Sequence, residues 1–142
     1  MTNCCSHKKV ITSDKAPKAI GPYSIAVSTG TLVYTSGQLG IDPVTGNLVE
    51  GGVQTETRQA LENVKTVLEA AGTTLENVIK TTVFLRDIAE FAQMNTIYAE
   101  FFTADQPARS AFQVAALPKA AAVEIEVVAV IPCDFDDEDC CK

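Results

Sequence analysis

The sequence predicts an α+β domain in which two helices pack on one face of a mixed or antiparallel sheet. Three observations predict it: β-branched segments near both ends of the chain, two intervening stretches with helical apolar spacing, and Gly/Pro punctuation between them. With 142 residues and 46% hydrophobic content, the chain can bury one compact core without a second domain. It is read as a single domain over 1–142, with its patterned part over 9–131.

The first element is a short strand around Val10 and Ile11, after which APKAIGPYS interrupts regular structure with two prolines and a glycine. Residues 24–28 and 32–36 read as strands joined by Thr29-Gly30-Thr31, a link that favours a β-hairpin. The stretch GQLGIDPVTGN then reads as turns, carried by Asp42-Pro43 and Thr45-Gly46-Asn47. From Val53 onward, Ala60, Leu61, Val64, Val67, Leu68 and Ala71 mark one helical face, with Gly72 as its stop.

Residues 78–85 (VIKTTVFL) alternate as a half-exposed strand, with Lys80 and Thr82 on one parity and Ile79, Val83 and Leu85 on the other. Asp87 and Glu90 resemble a capping box opening a second helix, whose face is Phe91, Met94, Tyr98, Phe101 and Phe102. Pro107 ends that region. RSAFQVAA and AVEIEVVAVI then read as an antiparallel hairpin turned by LPKAA. On that register Arg109 would face Val128, and Glu124 would face Gln113.

The last strand is apolar on both parities: Val123, Ile125 and Val127 on one, Val128 and Val130 on the other. Two helices cover only one face of a sheet, so the second must be buried elsewhere, which points to self-association.

The net charge of −7 is concentrated at the C-terminal end, where Asp134, Asp136, Asp137, Glu138 and Asp139 are offset only by Lys142. A body near −3 without basic excess lacks the charge that neutralises phosphates, which disfavours a nucleic-acid partner. The five cysteines (Cys4, Cys5, Cys133, Cys140, Cys141) sit at the ends, so the fold is not built on disulfides. MTNCCSHKK lacks the apolar run of a signal peptide and no stretch has the length of a membrane span, so a cytoplasmic location is the default expectation. The paired terminal cysteines are incidental or, if the two ends meet, form a soft-metal or redox site.

The chemistry-bearing residues are few. His7 is the sole histidine and sits in the polar start, which leaves no core Ser-His-Asp or Cys-His arrangement and no multi-histidine metal site. Neither GxGxxG nor GxxxxGK[ST] occurs, so dinucleotide and P-loop phosphate binding find no support, and no cofactor is expected. Arg109, after Pro107-Ala108, either extends its head to solvent or offers a planar fork to a small organic acid. Glu124 and Glu126 leave one face of the last strand, either as a solvated or ion-paired edge or as a general acid/base. Tyr23, Ser36, Gly37 and Asn95 are weaker polar candidates; a glycine at 37 suits either ligand approach or a turn.

GPYS, YTSGQLGIDPVTG, ALENVKTVLEAAG, VIKTTVFLRD and PARSAFQVAALPKAAAVEIEVVAV, in that order over residues 9–131, together resemble the RidA/YjgF family of reactive intermediate deaminases. The resemblance implies a chorismate-mutase-like homotrimer with three clefts between subunits. It also implies hydrolysis of 2-aminoacrylate, 2-iminopropanoate and 2-iminobutanoate, products of pyridoxal-phosphate dehydratases, to 2-keto acids and ammonia without cofactor or metal. By the same resemblance Arg109 holds the substrate carboxylate, Glu124 orients the attacking water, and Tyr23, Ser36, Gly37 and Asn95 complete the cleft. Three features depart from the family pattern: Ala111 where many relatives carry Cys or Thr, Ile25 where many carry Gln, and the end CDFDDEDCCK. Two other functions remain open: a non-catalytic sensor of 2-keto or amino acids, and an endoribonuclease or translation inhibitor.

Overall fold

The computed structural model describes residues 8–133. His7, Cys4, Cys5, Cys140, Cys141 and the acidic end from Asp134 lie outside the described residues, so the expectations placed on them are not addressed by the fold. Seven strands and two long helices follow one another as β1 (Lys9–Ile11), β2 (Ala26–Ser28), β3 (Leu32–Thr35), β4 (Gln38–Leu39), α1 (Val53–Ala70), β5 (Val78–Leu85), α2 (Phe91–Phe101), β6 (Ala108–Gln113) and β7 (Val123–Val130). The strands form one sheet in the order β1-β2-β3-β7-β5-β6, with β4 continuing beside β7. Only the β5–β6 pair is parallel, which makes the sheet mixed.

Helix α1 forms where the apolar period demands it. Ala60, Leu61, Val64, Val67 and Leu68 are wholly buried against the sheet, each full-length side chain contributing about 1.5–3 kcal/mol of burial. Gly72, at φ +85°, ends the helix in the left-handed conformation. The Thr73 and Gly72 amides then donate to Leu68 O and Glu69 O, satisfying carbonyls the helix leaves unpaired. The β2–β3 hairpin forms as expected around Gly30 at φ +99°.

Three expectations need correction. Residues 38–39 are a strand and not a turn, because β4 continues the antiparallel ladder along β7. Ile79 is exposed and Thr81 fully buried, since a bulge between Val78 and Lys80 shifts the first residues of β5 by one position. Most consequentially, β6 and β7 are not a hairpin: β5 lies between them. β7 is instead a central strand, flanked by β3 and β5. The β5–α2–β6 crossover meanwhile carries β6 to the outer edge. Arg109 therefore pairs with Thr81, and Glu124 with Phe84.

The expected capping box is also only half formed. Asp87 accepts from Ala89 N, capping a single 3-10 turn that leads into α2, while Glu90 accepts from Arg86 instead of closing back on the cap. Both helices lie on one face, facing Thr81, Val83, Val123, Ile125 and Val127. The other face presents Tyr34, Phe112 and Val130, each more than a third exposed, beside the half-buried Phe84 and Val128. No helix of the described residues is long and apolar enough to cross a membrane.

Candidate active site

The register of the central strands decides which candidates can meet. From Thr81 to Leu85, β5 alternates between the helix-covered face and the open one, and paired residues on β6 and β7 share its parity. Arg109, the partner of Thr81, is on the helix face, whereas Glu124, the partner of Phe84, is on the open face. The six candidates accordingly fall into two groups.

The first group surrounds a cavity of about 510 Å³ lined by Tyr23, Ser36, Gly37 and Glu124. Its construction begins with an interruption in the β3–β4 edge. Tyr34 pairs with Val128 and Gln38 with Ile125, so Ser36-Gly37 holds one residue more than the facing stretch of β7. This bulge carries Gly37 against Glu124. A Cβ on Gly37 would overlap the Glu124 carboxylate itself, so the carboxylate occupies the space that a side chain would fill. Gly37 is thus required by Glu124, a reason the sequence does not display.

The Ser36 hydroxyl donates to Ser24 O at 2.6 Å, tying the GPYS loop to the end of β3. That loop brings Tyr23 to the cavity, where its hydroxyl accepts from Ile20 N at 3.3 Å. Ile25 contributes an apolar wall and Glu126 a second carboxylate. Partial burial, and secondarily the neighbouring Glu126 carboxylate, raise the Glu124 pKa above the ordinary glutamate value. No described residue donates a hydrogen bond to Glu124, which leaves its oxygens to the cavity.

The second group is Arg109 and Asn95. The guanidinium Nη1 donates to Asn95 Oδ1 at 2.7 Å, and its carbon lies 4.6 Å from the Tyr98 ring centroid and 5.4 Å from that of Phe91. Tyr98 shares a 2.8 Å hydrogen bond with Thr81, its hydroxyl pKa raised by burial and partly offset by Thr81 and Arg109. Among the described residues Arg109 forms no ion pair. Its remaining N–H groups are available to an acidic ligand.

Sequence reasoning missed Tyr98 and Phe91 as site residues because helical spacing explains them fully as core. Pro118, which LPKAA offers only as part of a turn, walls the cavity, and Lys119 and Ala120 after it adopt φ values of +57° and +54°. Left-handed backbone at non-glycine residues costs about 1–2 kcal/mol each, a strain found preferentially at functional sites. No cluster of described His, Cys, Asp or Glu residues has the arrangement of a metal site.

Comparison with known proteins agrees with this architecture. Residues 13–131 match the family described as endoribonuclease L-PSP. The human 2-iminobutanoate/2-iminopropanoate deaminase is 53% identical over 123 residues, spanning 87% of this chain and 90% of the human protein. A RutC family protein from Pyrococcus horikoshii is 51% identical over 86% of this chain and 97% of its own length. The solved structure of E. coli TdcF with bound serine is similar at a TM-score of 0.82 and 46% identity, covering 86% of this chain and 98% of that one.

Proposed function

The chain belongs to the RidA/YjgF family, also described as endoribonuclease L-PSP, and from that premise we propose that it hydrolyses small 2-imino acids to 2-keto acids and ammonia. The observation that carries this reading is the division of labour between two groups: a guanidinium that has no ion-pair partner among the described residues and a carboxylate of raised pKa facing a cavity. Arginine binds a carboxylate through two parallel N–H donors and so selects an acid substrate. Glutamate accepts the proton of a water as its oxygen adds to the imine carbon. On a protonated imine this gives a neutral carbinolamine; the carboxyl returns its proton to the amino nitrogen, and as the C–N bond breaks and ammonia leaves, the hydroxyl proton passes to the carboxylate and the carbonyl forms. An imine is electrophilic enough that orientation and one proton carrier suffice, without metal or cofactor.

Because Arg109 and Glu124 leave opposite faces of one sheet, the reaction requires Arg109 of one copy to meet Glu124 of another. A homotrimer with a cleft at each contact between copies meets this requirement, and burial of Tyr34, Phe84, Phe112, Val128 and Val130 supplies an apolar area for its assembly. Ile25 adds apolar surface to the cavity wall, which bears on the size of imine it accepts. The natural supply is the imine released by pyridoxal-phosphate dehydratases acting on serine or threonine.

The experiment that tests the reading generates 2-iminobutanoate enzymatically and follows 2-ketobutanoate formation by the purified protein. Acceleration in proportion to protein supports hydrolysis. The bound serine of the related TdcF favours a second reading, a sensor of small amino or keto acids; saturable binding of such acids without acceleration would select it.

A further inference from the structure

We propose that Tyr98 is a positioning residue for Arg109, and that Tyr98, Phe91 and Asn95 together form a cradle that fixes the plane of its guanidinium before substrate arrives. The proposal rests on the reading of Arg109 as the carboxylate fork. Asn95 thereby takes a role different from substrate contact: its side-chain oxygen is already engaged, accepting from Nη1 at 2.7 Å.

The cradle has three contacts and an anchor. The two aromatic rings at 4.6 and 5.4 Å bracket the cation, each within the reach of a cation–π attraction. Asn95 fixes rotation within the plane by holding one nitrogen. The anchor is Thr81, fully buried and bonded to the Tyr98 hydroxyl at 2.8 Å. Thr81 is also the ladder partner of Arg109, so ring and guanidinium are tied to the same rung of the β5–β6 pair. The circuit runs from Arg109 through the backbone ladder to Thr81, through its hydroxyl to Tyr98, and back to the guanidinium.

The physical consequence is pre-organisation. A long arginine side chain left free must surrender its rotamers on binding a carboxylate, whereas one held by a cradle has surrendered them on folding. Asn95 occupies one of five N–H donors, so a two-donor edge remains for the ligand. Loss of the cradle therefore weakens capture of the acid more than the chemistry that follows.

The test compares kcat and KM for imine hydrolysis in Tyr98→Phe, Tyr98→Leu and Phe91→Leu, with circular dichroism to verify folding. Tyr98→Phe keeps the ring but frees it from Thr81, and raises KM by about threefold, less than Tyr98→Leu. Tyr98→Leu raises KM about tenfold with a smaller change in kcat. Phe91→Leu, which keeps an apolar side chain at a partly buried position, shifts KM in the same direction.

A second readout is chemical rescue: guanidinium ion added to Arg109→Ala restores part of the activity by occupying the cradle. It does so in Arg109→Ala/Tyr98→Phe and not in Arg109→Ala/Tyr98→Leu. Folded Tyr98→Leu and Phe91→Leu proteins with parental KM, or rescue undiminished by Tyr98→Leu, would overturn the proposal while leaving Arg109 in its role. Parental activity in Arg109→Ala alone would instead remove the underlying reading, and the proposal with it.

Discussion

Arg109 and Glu124 project from opposite faces of one sheet, three rungs apart along β5, where their partners are Thr81 and Phe84. No rotamer change brings an arginine through a sheet, so a site using both must be completed by a second copy. Arg109→Ala and Glu124→Gln chains, each inactive alone, are therefore expected to regain activity when unfolded together and refolded as a mixture. A mixed assembly would contain sites in which both parental residues meet. Turnover in the mixture well above the mean of the separate variants is the expected outcome, and no gain at any mixing ratio would place the two residues in independent roles.

Gly37→Ala is expected to lower turnover by at least about tenfold while preserving the fold, because the added methyl displaces the Glu124 carboxylate. Gly37 is not at positive φ, so the substitution introduces no backbone strain of its own. The loss is expected in kcat more than in KM. An unchanged kcat would mean that the position of Glu124 does not matter to the rate-limiting step.

Glu124 also makes a pH prediction. In the proposed reaction Glu124 accepts a proton and must be ionised, and its raised pKa moves the acid limb of kcat/KM above the ordinary carboxylate range. The sign for stability is opposite. A carboxyl whose folded pKa exceeds its unfolded value binds protons more tightly when folded, so its contribution is full below the unfolded pKa and is lost as pH rises through the folded one. Glu124→Gln should accordingly unfold at a higher temperature than the parent at neutral pH, with the difference vanishing in acid. A variant less stable than the parent at pH 7 would contradict the assigned cause.

Much of this was legible in the sequence, and the failures have physical reasons. The α1 face, its Gly72 stop and the β2–β3 hairpin depend on local periodicity and turn chemistry, which the sequence carries directly. The pairing of β6 is non-local: nothing near LPKAA records that β7 inserts between β3 and β5, and adjacency in sequence pointed to a hairpin. Arg109 and Glu124 could be picked out as unusual residues on apolar strands, but their separation onto two faces depends on register. Gly37 gave a turn signal whose cause lies 87 positions away, at Glu124. Tyr98 had no sequence signal beyond core packing.

The central claim, that this protein hydrolyses imines through Arg109, is tested most directly by competition with a trapping agent. A dehydratase acting on threonine releases 2-iminobutanoate in the presence of semicarbazide, and the adduct is measured with and without this protein. Less adduct and faster ammonia release are expected with the parent chain, and rates no faster than the protein-free control with Arg109→Ala, a loss of at least about 100-fold in kcat/KM. Adduct formation unchanged by the parent chain at high concentration, or suppressed equally by Arg109→Ala, would contradict the claim.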